Sequence, residues 1–419
     1  MMEASGAEKK IPPGGPGSRF WRFALEAATL ISALALIFFA ERADLAWFER
    51  HFMHSYLVPR EHYAYKVALV RIACAAVGLL LLVRGRTLVV ERLHRWALGW
   101  SARLTAGERL AAVGRVVLVL LVVTFLFEAV LRHTERRLER MRQTNPPLEL
   151  RLGGAHPRYG WLPTPSQRTV APLAGRDIEY SFNAQSVRVR SVQDVLDPAL
   201  PTVLFTGESI GIGHGLQYAE TYAALVGEQL GLQVVNLSVG GYACDQAYLR
   251  LADELPRYAR PVAVVTLFLP ALLDRTMRDY RPHLALDGQG QLELLPPARG
   301  FFAELRLRKF LRNVIPYHSE AHNQAMIELV GALFTQTAQL ARQRGATPLF
   351  LIPSLGPPRP LAAHPEAWII RNLFEARKLP YLLVDLDPAW TLPGDGHPDP
   401  RATRKLATAI ARALAPASK

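Results

Sequence analysis

Two hydrophobic patterns divide the chain. In the first third, three long apolar runs follow one another: Phe23–Ala40, Val67–Val83 and Leu110–Leu131. Only Glu26 breaks the first, Arg71 lies near one end of the second, and Arg115 and Glu128 lie near the ends of the third. About 20 apolar residues cross a bilayer as a helix, and terminal charges can snorkel to the headgroups. The runs therefore predict three transmembrane helices within residues 20–132. A signal peptide is the competing reading of the first run, and a buried helix hairpin that of the second. Three such runs in succession favour spans.

From Thr202 onward, short apolar segments alternate with helical periodicity. Val203–Phe205, Val234–Leu237, Val262–Leu267, Pro348–Ile352 and Tyr381–Val384 read as buried strands. Ala219–Leu230, Asp245–Leu255, Glu320–Arg344, Ala367–Lys378 and Arg401–Leu414 read as helices. This alternation predicts an α/β domain with a parallel sheet and helices on both faces. Residues 1–19 are Gly/Pro-rich and read as a disordered cytoplasmic tail. Residues 133–150 read as a charged linker helix ending at Asn145-Pro146-Pro147, and 151–419 as the soluble domain.

Charge selects the partner. The 419 residues carry a formal charge of +13, with few lysines beside many arginines. Such an excess suits nucleic acid or an anionic membrane. No basic block with interleaved aromatics occurs in the C-terminal half, whereas the densest basic stretches flank the apolar runs. A lipid bilayer is expected, and nucleic acid is not. Trp47, Trp96 and Trp100 lie near run edges, where interfacial aromatics are found.

Lys9, Lys10, Arg19 and Arg22 precede the first run, and Arg84, Arg86, Arg92, Arg95 and Arg103 separate the second from the third. Both segments should stay cytoplasmic, so three crossings export the C-terminal domain. The basic stretch Arg132–Arg142 favours the opposite reading, two spans and a cytoplasmic domain. Cys74 and Cys244 are the only cysteines, and they suggest neither a disulfide framework nor a metal site.

Candidate chemistry centres on Thr202–Gly215, TVLFTGESIGIGHG. A strand stops at Gly207-Glu208-Ser209, glycines alternate through Gly215, and a helix follows. This arrangement presents a serine nucleophile at the end of a parallel strand. Such a serine needs a base, and the base an orienting group. His397 follows the last predicted strand, with Asp395 in the same Gly-bounded loop. His214 is the competing base, five residues beyond Ser209. The oxyanion donors expected are the backbone N–H groups of Gly241 and Ser209. His318, His322 and His364 carry no motif and read as surface or helix positions. No P-loop, dinucleotide fingerprint or metal motif occurs, so neither cofactor nor metal is expected.

Four blocks in order resemble the SGNH, or GDSL-type, hydrolase family in its membrane-anchored bacterial form: Gly207-Glu208-Ser209, Asn236–Gln246, Val262–Arg275 and Asp395–Pro398. Tyr180–Arg188 is similar to a segment that precedes the nucleophile in many bacterial members. The resemblance covers about 180–415. It implies a three-layer α/β/α flavodoxin-like domain and a membrane-anchored serine esterase or O-acyl transfer enzyme acting on acyl esters of carbohydrate or lipid. It also implies catalytic Ser209, His397 and Asp395, with the Ser209 and Gly241 amides as oxyanion donors.

The expected location is the bacterial inner membrane, multi-pass, with the domain periplasmic or extracellular. Glu208 stands where the family has Asp, and Asp395 is one residue nearer His397 than in the commonest form. Leu269-Pro270-Ala271-Leu272 lacks the asparagine that supplies a third oxyanion donor. That loss favours the alternative of a catalytically impaired binding module assisting envelope polysaccharide acylation, with a membrane acyltransferase as partner.

Overall fold

The computed structural model describes residues 16–52, 60–94, 106–144, 148–300, 304–314, 317–356, 360–364 and 366–415. Residues 1–15, Arg95, Trp96, Trp100, Arg103 and the Asn145-Pro146-Pro147 boundary lie outside them. Two compact units emerge. One holds the residues up to Phe48 and Glu61–Phe127; the other holds Glu49–Arg60 and Glu128–Lys419.

The first unit is built on helices α1 (Pro16–Arg42), α2 (Arg60–Gly85) and most of α3 (Ala106–Thr144). Three helices are long and apolar enough to cross a membrane: Arg22–Arg42, Tyr63–His94 and Ala111–Met141. Their outward leucines, valines and phenylalanines are exposed. The charges inside the runs have local partners. Arg71 Nε donates to the Ala40 carbonyl (2.8 Å), covering the C-terminal carbonyls of α1. Glu26 lies 3.3 Å from Arg22 and 3.5 Å from Arg86. The charged stretch after the third run is continuous with it, because no helix breaker precedes Asn145. In the second unit, Glu128 accepts from the backbone N–H groups of Arg306 (3.0 Å) and Leu307 (2.8 Å). It thereby caps helix α7 (Arg306–Val314).

The second unit carries a small hairpin, β1 (Gly153–His156) and β2 (Gly160–Pro163), then an eight-stranded sheet. Its strands are β3 (Arg168–Leu173), β4 (Arg176–Phe182), β5 (Arg188–Val189), β6 (Pro201–Thr206), β7 (Gln233–Asn236), β8 (Arg260–Leu267), β11 (Thr347–Leu355) and β12 (Tyr381–Leu386). A second hairpin, β9 (His283–Leu286) and β10 (Leu292–Leu295), interrupts the sequence. The sheet order is β12-β11-β8-β6-β7-β5-β4-β3. From β6 to β12 the pairing is parallel, with Phe205 opposite Asn236 and Val265, and Leu351 opposite Leu267 and Leu382. Counted along the chain these five strands lie in the order 2-1-3-4-5, the flavodoxin-like arrangement.

The sheet is not wholly parallel. β3, β4 and β5 pair antiparallel, because short turns join consecutive strands there and leave no room for a crossover helix. Helices cover both faces. Phe205, Val265, Leu351 and Val384 face one side with α5 (Tyr222–Leu230) and α9 (Pro400–Leu414). Leu204, Val264, Phe350 and Ile352 face the other, packing with α6 (Cys244–Glu254) and α8 (Glu320–Gln343). The alternation follows the two-residue period of a strand. Ala367–Lys378 departs from a regular helix: an α turn over Ala367–Ile370 gives way to a π turn over Arg371–Glu375.

Candidate active site

The nucleophile loop begins where β6 ends against β8. Gly207 has φ of +153°, and a Cβ there would lie 2.7 Å from Leu267 Cβ, so only glycine fits. Glu208 then caps the four-residue helix α4 (Ser209–Ile212), its Oε1 accepting from Ile210 N at 3.0 Å. Ser209 therefore sits at the first position of a helix, above the carboxyl end of the sheet.

The loop is held from behind by Arg188, which is buried at 2% exposure. Its guanidinium donates to the carbonyls of Ile212, Gly213 (2.8 Å) and Leu216 (2.5 Å), and reaches that of Glu179 at 3.3 Å. It also lies over the Tyr180 ring, 4.3 Å from the centroid. Burial pushes Arg188 down to about 10, which leaves it charged at neutral pH. The carbonyls and the ring face supply what an acid partner would. Tyr180 Oη accepts from Gly215 N at 2.8 Å, and Asn236 Nδ2 donates to the Gly211 carbonyl at 2.8 Å.

The loop after β12 carries the other half. A bridge between Thr391 and Pro398 and the bond from Leu392 N to the His397 carbonyl (2.8 Å) close it. Asp399 anchors its end by capping α9, accepting from Arg401 N and Ala402 N. His397 Nε2 lies 2.9 Å from Ser209 Oγ. His397 Nδ1 is hydrogen-bonded to Asp395 Oδ1. An ionised Asp395 can only accept, so Nδ1 carries the proton and Nε2 is left as acceptor for the serine.

His214 reaches Asp395, not Ser209. Its Nε2 lies 3.1 Å from Asp395 Oδ2, and its ring stacks on His397 with centroids 4.3 Å apart. Burial alone would raise the Asp395 carboxyl. The hydrogen bond and charge of His397, with His214 beyond, outweigh it and hold the carboxyl below its ordinary range. Ser209 Oγ has a second acceptor, because it also bonds Glu208 Oε2. One hydroxyl proton thus stands between a carboxylate and an imidazole.

Gly241 lies on the loop after β7, with φ of +79°. The β1–β2 hairpin braces this loop: Trp161 Nε1 donates to the Gly240 carbonyl (3.0 Å), and Tyr242 Oη donates to the Trp161 carbonyl (2.7 Å). Phe268–Leu272, directly after β8, carries no side-chain donor. Phe268 and Leu269 are buried in the hydrophobic core, and Pro270–Met277 forms a 3₁₀ helix.

Two cavities flank the site. A small apolar one of about 20 Å³ lies among His214, Ile212, Trp161, Leu148 and Leu152. A groove of about 500 Å³ passes Gly240, Gly241 and Trp161 to Arg275, Arg278 and Tyr280. The sequence had offered only short strand-like pieces in 151–201, so the hairpin and its Trp161 went unread. One other expectation changes. His318 and His364 are buried, not on the surface, at 8% and 4% exposure. Cys74 and Cys244 are both free thiols.

No family model matches the chain, and no curated protein matches it. Among solved structures, it is similar to a putative lipolytic protein of the G-D-S-L family from Desulfitobacterium hafniense DCB-2. That pair shares 12% identity over 50% of this chain and 98% of the other, with a TM-score of 0.31. A putative arylesterase from Agrobacterium tumefaciens str. C58 gives 15% identity, 51% and 98% coverage and a TM-score of 0.30. An acetyl xylan esterase from the rumen bacterium Butyrivibrio proteoclasticus gives 14% identity, 53% and 64% coverage and a TM-score of 0.30. Independently of these, the sheet order and the order of the four blocks along the chain sustain the resemblance to SGNH, or GDSL-type, hydrolases.

Proposed function

We propose that this chain is a membrane-anchored serine ester hydrolase or O-acyl transfer enzyme of the SGNH type. The observation that carries this reading is the 2.9 Å contact from Ser209 Oγ to His397 Nε2, with Asp395 on the opposite ring nitrogen. Ser209 Oγ attacks the ester carbonyl carbon while His397 Nε2 takes its proton. Asp395 fixes the tautomer and stabilises the imidazolium. The amides of Ser209 and Gly241 receive the oxyanion. The C–O bond of the ester then breaks, and His397 protonates the departing alcohol. Water or a second alcohol attacks the acyl-serine by the reverse route.

The groove with Trp161, Tyr280 and the arginines suits a carbohydrate alcohol, since aromatic faces and polar donors recognise sugar hydroxyls. The three apolar helices support residence in a membrane, and the arginine-rich flanks support an exported domain.

A second reading, a binding module assisting a membrane acyltransferase, is favoured by one observation: Phe268–Leu272 offers no oxyanion side chain. Hydrolysis of p-nitrophenyl acetate separates the two. The esterase reading expects turnover by the full-length protein in detergent and its loss in Ser209→Ala. Equal rates in the two proteins would refute it.

A further inference from the structure

Outside the Ser209 site, elements distant in sequence bring three metal-ligating side chains together. Asp274 lies in the 3₁₀ helix Pro270–Met277 that follows β8. His318 and His322 flank the start of α8, whose cap Ser319 accepts from His322 N. Asp274 Oδ1 stands 3.7 Å from His318 Nδ1 and 3.6 Å from His322 Nε2, and the two rings stack with centroids 4.9 Å apart. All three ligand atoms lie within 4.8 Å of one another.

These separations exceed hydrogen-bond reach. They lie close to the roughly 3.3–3.5 Å that separates two ligands of one tetrahedral zinc, given metal–ligand bonds of about 2.0–2.2 Å. The His322 Nε2 atom is buried and makes no hydrogen bond. A buried ring nitrogen aimed at a carboxylate oxygen it does not bond costs free energy unless a third atom joins them. The carboxylate is divided accordingly. Oδ2 faces Arg278 Nε at 3.7 Å, and Oδ1 faces the two histidines. The backbone beside the pair is fixed as well, His318 N donating to the His51 carbonyl at 2.8 Å.

We infer that Asp274, His318 and His322 bind one zinc-class divalent ion. Two imidazoles and one carboxylate suit a borderline metal and disfavour calcium or magnesium, which seek oxygen. Among the described residues three protein ligands face the ion, one short of a tetrahedral set. The ion ties the 270–277 segment to the start of α8. Arg275 of that segment and Arg278 just after it line the groove beside Gly241, so the ion holds one wall of that groove in place.

The test uses full-length protein in detergent, stripped with a chelator and titrated with Zn²⁺ by calorimetry, then with Co²⁺ by visible absorption. One equivalent should bind, raise Tm and, for Co²⁺, give tetrahedral d–d bands. His322→Gln and Asp274→Asn should each weaken Zn²⁺ binding more than about 100-fold, since even outer partners of a ligand cost about 10–100-fold. Their near-UV circular dichroism should match that of the metal-free parent. The His214, Asp395 and His397 cluster is the rival site, and His214→Gln/His397→Gln should bind Zn²⁺ as the parent does. The inference is overturned if the parent binds no stoichiometric Zn²⁺. It is also overturned if binding survives in the folded His322→Gln protein and disappears in the His214→Gln/His397→Gln protein.

Discussion

Two loops at the carboxyl end of one sheet are built very differently. Residues 207–216, after β6, are cross-braced by buried polar groups: Arg188 holds three of the loop's carbonyls, Tyr180 receives an amide, and Asn236 holds a fourth carbonyl. Residues 268–277, after β8, are fastened by apolar burial of Phe268, Leu269 and Leu273. The first loop fixes the position of Ser209. The second offers no side-chain donor from Phe268–Leu272. Attack and oxyanion stabilisation are thus separately engineered, and this chain has invested in the first. A missing oxyanion donor raises a barrier by about 2.7–4 kcal/mol. On the proposed esterase reading, the Ser209–His397 contact predicts slow turnover and not its absence.

The largest effect that would sharpen this contrast is expected on the attack side. Asp395→Asn replaces the carboxylate shared by His397 and His214 with an amide that can donate to His397 Nδ1 and so favour the wrong tautomer, so kcat should fall by about 10⁴-fold, read with p-nitrophenyl acetate. The pH dependence has a definite sign. Because the Asp395 carboxyl is held below its ordinary value, its contribution is fully present above the unfolded value of about 3.9. That contribution is lost only as pH falls through the lower folded value. Above pH 5 the Asp395 carboxylate therefore contributes in full, and Asp395→Asn should lower kcat/KM across that whole range.

Next comes the oxyanion side. Gly241→Ala forces a side chain onto a residue at φ of +79° and against Trp161, with 3.4 Å to its ring. The backbone should turn and its amide leave position, lowering kcat about 10²-fold with little change in KM. An unchanged kcat would mean that Gly241 is not a donor. The smallest effect on chemistry and the largest on folding belongs to Arg188→Met. It strands several buried carbonyls and should cost on the order of 3 kcal/mol, read as a lowered Tm of the soluble unit. Activity at low temperature should survive in part.

Much of this was legible in the sequence because strand period, glycine turns and block order are local signals. The five parallel strands, Ser209 at the end of β6 and His397 beside Asp395 all announce themselves within a few residues. Of β3–β5, Ile178–Phe182 in β4 reads as strand-like, whereas the edge strand β3 and the two-residue β5 do not, since short strands resemble loops until they pair. His214 shows the same limit from another side. Its nearness to Ser209 along the chain suggested a rival base, yet a four-residue helix turns it toward Asp395. The pairing of Asp274 with His318 and His322 spans more than forty residues. Only the docking of α8 against the 3₁₀ segment brings them together.

The claim on which the rest depends is that Ser209 is an activated nucleophile. A fluorophosphonate probe, applied to full-length protein in detergent and mapped by peptide mass spectrometry, tests it directly. The expected result is stoichiometric labelling of Ser209, abolished in heat-denatured protein and strongly slowed in His397→Gln. Absence of labelling at Ser209 in the folded parent, or equal labelling in the His397→Gln variant, would contradict it.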